Sequence, residues 1–310
     1  MLNKSIILFF IGSLPFGQDV IGEGLYEDDL INFLRANYKT STTLGYNNAR
    51  DVMYLEIDRE DDGSVYGIYT NYAVFLPESG VDPSTHLYEN GMNCEHIWPQ
   101  SMYEGSDPMK SDMHHLRPSK ENVNSSRGNK PFGDNPDLQT DTWFWISQSQ
   151  SSIPSNNIDE YSESETAYFE PREDRKGDIA RSVFYFYTMY SEVTEDNFFE
   201  SQQEILKTWH EQDPADNNEI SRTWQIAGYQ EDKPNPFILD ATLVERAYFY
   251  DGFLHGDMNG DENLDVLDIV GLVNMILNEE DNNPLGDMNG DGAYNILDVV
   301  ILANIILSQN

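Results

Sequence analysis

Apolar residues fall with helical spacing at Leu30, Ile31, Phe33 and Leu34 behind an acidic first turn, so Tyr26–Lys39 is expected to form an amphipathic helix. Val65–Leu76 is rich in Tyr, Val and Ile and reads as a strand. Between Asn93 and Gly133 the periodicity fails, and the residues are His, Asn, Arg and Pro, a composition of loops and short elements around a site. Residues 134–170, rich in Ser, Asn, Asp and Glu, are expected to make a long surface excursion anchored by Trp143 and Trp145. Helical spacing returns at Ile179, Val183, Phe186 and Tyr190, which predicts a helix over Gly177–Tyr190 capped by Asp178. Two more helices are expected at Glu200–Glu211 and Asn217–Ala227, their aromatic stripes serving packing. Together these elements indicate a mostly helical α+β unit over 18–250.

From Asp251 the pattern changes. Gly256–Leu277 and Gly286–Leu307 repeat one another at a period of 30 residues, each running from an acidic loop into an apolar helix. Residues 247–310 hold twelve acids and no Lys or Arg. A separate small all-α domain is expected over 251–310.

The N-terminus adds a leader. Lys4, the apolar run Ile6–Leu14 and small residues before Gln18 have the layout of a secretory signal peptide, so 1–17 are expected to be removed and the protein secreted. No later run reaches the roughly 18–20 apolar residues of a spanning helix, and a soluble monomer is expected. Cys94 is the only cysteine, which excludes an intramolecular disulfide scaffold.

Charge looks unfavourable for a nucleic-acid partner: 18 basic residues against 55 acidic leave −37. Distribution matters more, because salt screens acids on a distant face within about 8 Å. Lys110, Arg117, Lys120, Arg127 and Lys130 meet only Asp112 and Glu121 within 110–130, and Arg172, Arg175, Lys176 and Arg181 form a second basic window.

The repeat carries its own chemistry. Asp257, Asn259, Asp261, Asp265 and Asp268 occupy loop positions 1, 3, 5, 9 and 12 of the first copy, and Asp287, Asn289, Asp291, Asn295 and Asp298 those of the second. Alternating carboxylate and amide oxygens ahead of a helix suit Ca2+, which takes about 6–8 oxygen ligands. Asp at position 12 and the trailing apolar helix resemble the type I dockerin, although Glu262 stands where a turn glycine is expected. The resemblance implies calcium in both loops and a cohesin-type partner on a scaffold or cell surface, with a purely stabilising role as the other reading.

Three of six histidines, His96, His114 and His115, lie within 20 residues, beside Glu95, Asp112, Asn124, Arg127 and Asn129. Cutting a phosphodiester needs a base for water, a cation for the developing charge and a grip on phosphate. A neutral histidine, oxygen donors for a divalent ion and arginines supply these. NCEHIWPQS at 93–101 and SDMHHLRPSKENVNSSRGNKPFG at 111–133 resemble the bacterial endonuclease I and extracellular deoxyribonuclease family, with further marks in RKGDIARSVFYFY at 175–187 and NPFILDATLVERAYF at 235–249. The resemblance spans about 26–250. It implies a ββα-metal finger, with His96 as general base, Glu95 and Asn124 as ligands of Mg2+ (or Mn2+ or Ca2+), and DNA as substrate, with RNA left open. Arg127 and Arg172 are then candidates for phosphate contact, each with a structural ion pair as its other reading. Asp112, His114 and Asn129 are expected to orient the ligands. Some relatives take a charge-stabilising arginine from a cysteine-bearing insertion, but Gln100–Lys110 is short and offers only Lys110.

A non-enzymatic calcium-dependent binding or scaffold protein is the alternative. A glycosidase has no use for the His-Asn-Arg cluster, and no HExxH spacing supports a zinc hydrolase.

Overall fold

The computed structural model describes residues 20–103, 105–250, 255–261, 263–278, 283–288 and 293–308. The proposed leader, Asn289 and Asp291 lie outside the described residues. The chain divides into two compact units, Ile21–Phe249 and a second that begins at Tyr250.

The larger unit is organised by the helix Lys176–Tyr190, in which every residue but Asp178 and Tyr187 is buried. A helix covered on nearly all sides sits at a centre. Leu30 and Leu34 of helix Glu27–Tyr38 join its core, as do Leu206 and Trp209 of helix Gln203–Gln212. Trp98 stacks on Phe186 at 5.3 Å and on Tyr187 at 5.9 Å, so it is core support. The central helix has no side-chain cap: it continues from a 3-10 turn over Glu173–Arg175, which places Asp178 inside its first turn. The helix expected over Glu200–Glu211 is broken at Ser201 and Gln202, where Gln202 turns inward to take the Phe132 amide on its Oε1.

Strand Met92–His96 pairs antiparallel with Leu116–Lys120, and helix Glu121–Arg127 follows at once. Alternation gives this hairpin two different faces. Met92, Cys94 and Leu116 pack into a second apolar cluster with Ala49, Met53 and Val65. His96, opposite Leu116, shares that face, whereas Asn93, Glu95 and Arg117 lie on the other. The hairpin thus separates the two clusters.

Val65–Leu76 is not one strand. Ser64–Tyr66 and Ala73–Phe75 pair with each other, and the turn between them needs Asn71 at φ 54°. Residues 134–170 are not an excursion either. They form an antiparallel sheet in the order Gln148–Gln150, Thr142–Trp145, Ser162–Ser164, Phe169–Glu170, with Trp143 and Phe144 buried.

Within this sheet Glu163 and Glu170 face each other, both buried. Lys176 Nζ pairs with Glu170 at 2.8 Å, while Glu163 receives the Thr140 hydroxyl at 2.5 Å. Burial pushes the Glu163 carboxyl up to about 8; the Thr140 bond opposes this and the Glu170 charge adds to it. A carboxyl raised on folding contributes stability at low pH that is lost as pH climbs from its ordinary value through about 8. Glu163→Gln is therefore expected to raise the melting temperature near pH 9 and leave it unchanged near pH 4, a pair of thermal melts being the check.

In the smaller unit, helices Val266–Asn278 and Ile296–Ser308 pack through Leu272, Met275 and Leu302. Asp268, wholly buried, accepts the Met258 amide at 2.9 Å and the Asp265 amide at 2.8 Å. Asp298 repeats this with Met288 at 2.9 Å and Asn295 at 2.8 Å. The same fold-back in both copies is why the sequence repeats.

Candidate active site

Glu95 is 3% exposed, on the hairpin face opposite that of Cys94 and His96. Its Oε1 accepts the Tyr69 hydroxyl at 2.8 Å and lies 3.4 Å from Arg127 Nε. Among the described residues nothing donates to Oε2. Burial pushes this carboxyl up to about 7, against the pull of Arg127 and of the Tyr69 hydroxyl. Tyr69 is itself braced, because the Ser162 hydroxyl donates to its carbonyl at 2.6 Å. The sheet missed by sequence reasoning thus holds the phenol that aims Glu95.

Asn124, on the helix after the hairpin, donates from Nδ2 to Asn93 Oδ1 at 2.8 Å and to the Cys94 carbonyl at 3.2 Å. Those bonds fix the amide's orientation and leave Oδ1 as its remaining acceptor. Glu95 and Asn124 therefore offer one carboxylate oxygen and one amide oxygen. Among the described residues no group of three His, Cys, Asp or Glu side chains could hold a metal. Such a sparse, all-oxygen donor set fits a hard cation of the magnesium class, which keeps several waters.

His96 ends its strand, so its ring reaches the edge of the hairpin. Its Nε2 lies 3.1 Å from the Lys110 carbonyl. A carbonyl only accepts; Nε2 therefore carries the hydrogen and Nδ1 the lone pair. Burial first, and then His115, lower this imidazole to about 3, with Lys110 and Arg50 adding their repulsion. It is neutral at working pH. His115 leans on it at a centroid distance of 5.3 Å.

The basic windows behave differently from each other. Every cation of the second is paired: Arg172 with Glu160 and Asp174, Arg175 with Asp178, Lys176 with Glu170, and Arg181 with Glu219. Of the two readings left open for Arg172, the ion pair is the one the geometry favours: its guanidinium is almost wholly buried and bound to carboxylates. For Arg127, too, the geometry favours the ion-pair reading, with Glu95 at 3.4 Å. This arginine has no exposed surface, donates to the Ile97 carbonyl at 2.6 Å and the Gly128 carbonyl at 3.0 Å, and lies over Phe132. Both arginines position other groups.

Among the described residues, Asp112 and His114 make no hydrogen bond to Glu95, His96 or Asn124. Asp112 is buried and accepts Tyr185, Tyr190 and Gln230, while the His114 ring meets the Lys233 carbonyl at 2.9 Å. Asn129 is exposed beyond Gly128, and no hydrogen bond links it to Glu95, His96 or Asn124. Cys94 is no nucleophile, since burial pushes its thiol up to about 12.

Sequence reasoning missed Arg50 and Tyr46. The Tyr46 ring lies 5.3 Å from the His96 ring, with the Arg50 guanidinium at 4.5 Å and the Lys110 ammonium at 5.0 Å. Among the described residues neither cation forms an ion pair. The available signal was the i,i+4 spacing of Tyr46 and Arg50 on helix Tyr46–Val52.

This site lies within residues 28–242, the span matched by the endonuclease I family profile. The chain belongs to the endonuclease I family. The type I dockerin domain profile matches 255–307, so this endonuclease I member carries a dockerin domain. The chain is 28% identical over 234 residues to the extracellular ribonuclease of Bacillus subtilis (strain 168), covering 70% of this chain and 73% of that protein. It is 30% identical over 161 residues to the extracellular ribonuclease of Bacillus amyloliquefaciens, covering 47% of this chain and 50% of that one. As an endonuclease I member the protein is a nuclease, and its substrate is nucleic acid. No helix among the described residues is long and apolar enough to cross a membrane.

Proposed function

We propose that the protein is a secreted, sequence-indifferent endonuclease that cuts RNA as well as DNA and leaves 5′-phosphates. The observation that carries it is the neutral imidazole of His96 at the hairpin edge, one residue from a half-free buried carboxylate and beside two unpaired cations. The sequence reading ranked DNA first; two relatives named extracellular ribonucleases bring RNA level with it. None of the groups described reads a base edge, which suits recognition through the backbone.

The antiparallel hairpin and its following helix support a ββα-metal finger. Glu95 and Asn124 hold the divalent ion, which when bound offsets charge on the phosphate and the leaving 3′-oxygen. His96 Nδ1 takes the proton from the attacking water, and the Lys110 carbonyl keeps the ring in that tautomer. Arg127 and Tyr69 hold the Glu95 carboxylate in register. Arg50 and Lys110 grip the scissile phosphate and supply the charge for which sequence reasoning had only Lys110.

The dockerin domain supports calcium binding and a cohesin-type partner. Its two helices expose the same positions of the repeat, Val266, Leu267, Val270 and Leu277 against Ile296, Leu297, Val300 and Leu307, and this apolar pair of surfaces is the docking face. With the leader and the relatives' names, it supports an extracellular, surface-attached nuclease.

Supercoiled plasmid, single-stranded DNA and RNA, each with magnesium or with chelator, test the reading. All three are expected to be cut with magnesium and none with chelator; cutting that persists in chelator sinks the metal assignment, and untouched DNA restricts the enzyme to RNA. Arg50→Met is expected to lower kcat roughly 10²-fold, the scale of losing one preorganised charge-stabilising donor.

A further inference from the structure

A cavity of about 350 Å³ opens on the larger unit, lined by Arg117, Ile68, Arg175, Arg222, Asn218 and Ser221, among other residues. Arg117 enters it from the hairpin strand and is 4% exposed. Among the described residues its guanidinium has no hydrogen bond and no ion pair, and its Nε is buried without a partner. A buried guanidinium presents five donors in a planar fork, and leaving them unmet is costly.

The surrounding charges are spoken for. Asp58 is held by Arg222 at 2.7 Å and Glu219 by Arg181 at 2.6 Å. Asp178 lies 3.6 Å from Arg175 and 3.8 Å from Arg181. Arg222 spends its remaining donors on the Met113 and Leu116 carbonyls. Arg117 is thus a buried cation of the cavity that no carboxylate pairs, and Arg175, whose carboxylates stand at 3.6 Å and 3.9 Å, is a second cation on its wall. The other carboxylates nearby, Glu56, Glu60, Asp61 and Asp216, are exposed, where solvent and salt screen them. Burial and the neighbouring Arg222 already press on the Arg117 charge, lowering it to about 10, a penalty that a bound anion relieves.

We propose that this cavity is an oxyanion site of the phosphate class, in which Arg117 provides a fork of donors and Arg175 the second charge. A fork matched to two phosphate oxygens is the geometry that favours arginine over lysine. The volume also admits a phosphate that is the end of a nucleotide. Arg117 stands opposite Glu95 in the hairpin, but no hydrogen bond or ion pair joins the two, so anion binding can be tested separately from the catalytic assignment.

The test titrates inorganic phosphate, and separately adenosine 5′-monophosphate, into the full chain at constant ionic strength, followed by 31P NMR. Saturable binding of phosphate is expected. Arg117→Gln should weaken it roughly 10- to 100-fold, the loss of charge-assisted hydrogen bonds. Ser221→Phe, at an exposed helix position that lines the cavity, should block binding while leaving the melting temperature in phosphate-free buffer unchanged, so the test survives a misfolded Arg117 variant. Excess single-stranded oligonucleotide should not displace the anion. Binding of the nucleotide with the same Arg117 dependence assigns the site to a nucleotide phosphate; binding of inorganic phosphate alone assigns it to the free anion. No saturable binding, binding indifferent to both variants, or complete displacement by oligonucleotide overturns the proposal.

Discussion

Turnover of His96→Ala is expected to fall about 10²–10⁴-fold, the contribution of a positioned general base, while the fold and the affinity for polynucleotide persist. The case rests on separable roles. Glu95 and Asn124, the proposed ligands of the cation, are held by bonds to Tyr69, Asn93 and Cys94 in which the imidazole takes no part. Arg50 and Lys110, the proposed phosphate contacts, touch the Tyr46 ring and do not depend on His96 for an ion pair. What is removed is the proton acceptor, together with its bond to the Lys110 carbonyl. Single-turnover cleavage and binding to an uncleavable oligonucleotide, measured on the same preparation, check both halves, and added imidazole should restore part of the rate. Near-normal turnover in the alanine variant, or loss of binding in proportion to rate, would remove His96 from the role of base.

That division of labour also explains how a chain of net charge −37 handles a polyanion. The acids are not excluded from the larger unit; they are consumed there. Asp174, Glu170 and Glu219 hold Arg172, Lys176 and Arg181 of the second basic window at close range, Asp178 stands at 3.6 Å from Arg175, and Glu95 is countered by Arg127. Among the described residues, the cations left without an ion pair include Arg50 and Lys110 beside His96, Arg117 in its cavity, and Lys120 and Lys130, which meet the Ser147 carbonyl and the Ser164 hydroxyl. A screening length of about 8 Å lets such a patch act almost alone.

The parts of the site that were legible in the sequence are those whose residues are neighbours in it. Glu95 and His96 are adjacent, and Asn124 follows from the spacing of the second motif. The remainder depends on contacts that no local pattern encodes. Tyr69 reaches Glu95 across 26 positions, and Tyr46 and Arg50 come from a helix with no motif of its own. The sheet over 142–170 was hidden for another reason: its strands are two to four residues long, and QSQ and SES carry no hydrophobic alternation. The helices were readable because Leu30 and Leu34, or Ile179, Val183 and Phe186, face one core over several turns. Arginine pairing was not, since a sequence displays charge but not which charge is already spent.

Asp112 shows the cost of such hidden pairing, and its removal is expected to be the most destabilising single change in the larger unit. The carboxylate has no exposed surface, yet four donors converge on it: the hydroxyls of Tyr185 at 2.8 Å and Tyr190 at 2.7 Å, Gln230 Nε2 at 2.8 Å and the His114 amide at 3.1 Å. Burial alone would raise this group, but His114, His115, Gln230 and Tyr190 outweigh it and hold it below the usual carboxylate range. Because the folded value is depressed, its contribution is fully present above the ordinary aspartate value and is lost only as pH falls below it. Asp112→Ala strands four buried donors at once, and breaking a buried charge network in this way costs about 3–5 kcal/mol. Asp112→Asn keeps one acceptor oxygen and should lose less. Urea unfolding at neutral pH measures both. The alanine variant should also lose activity per folded molecule, because Asp112 anchors the turn Met113–His115 from which His115 supports the His96 ring. A loss of under about 1 kcal/mol for the alanine variant, no more than an average substitution, would show that the two tyrosines and Gln230 satisfy one another without the carboxylate.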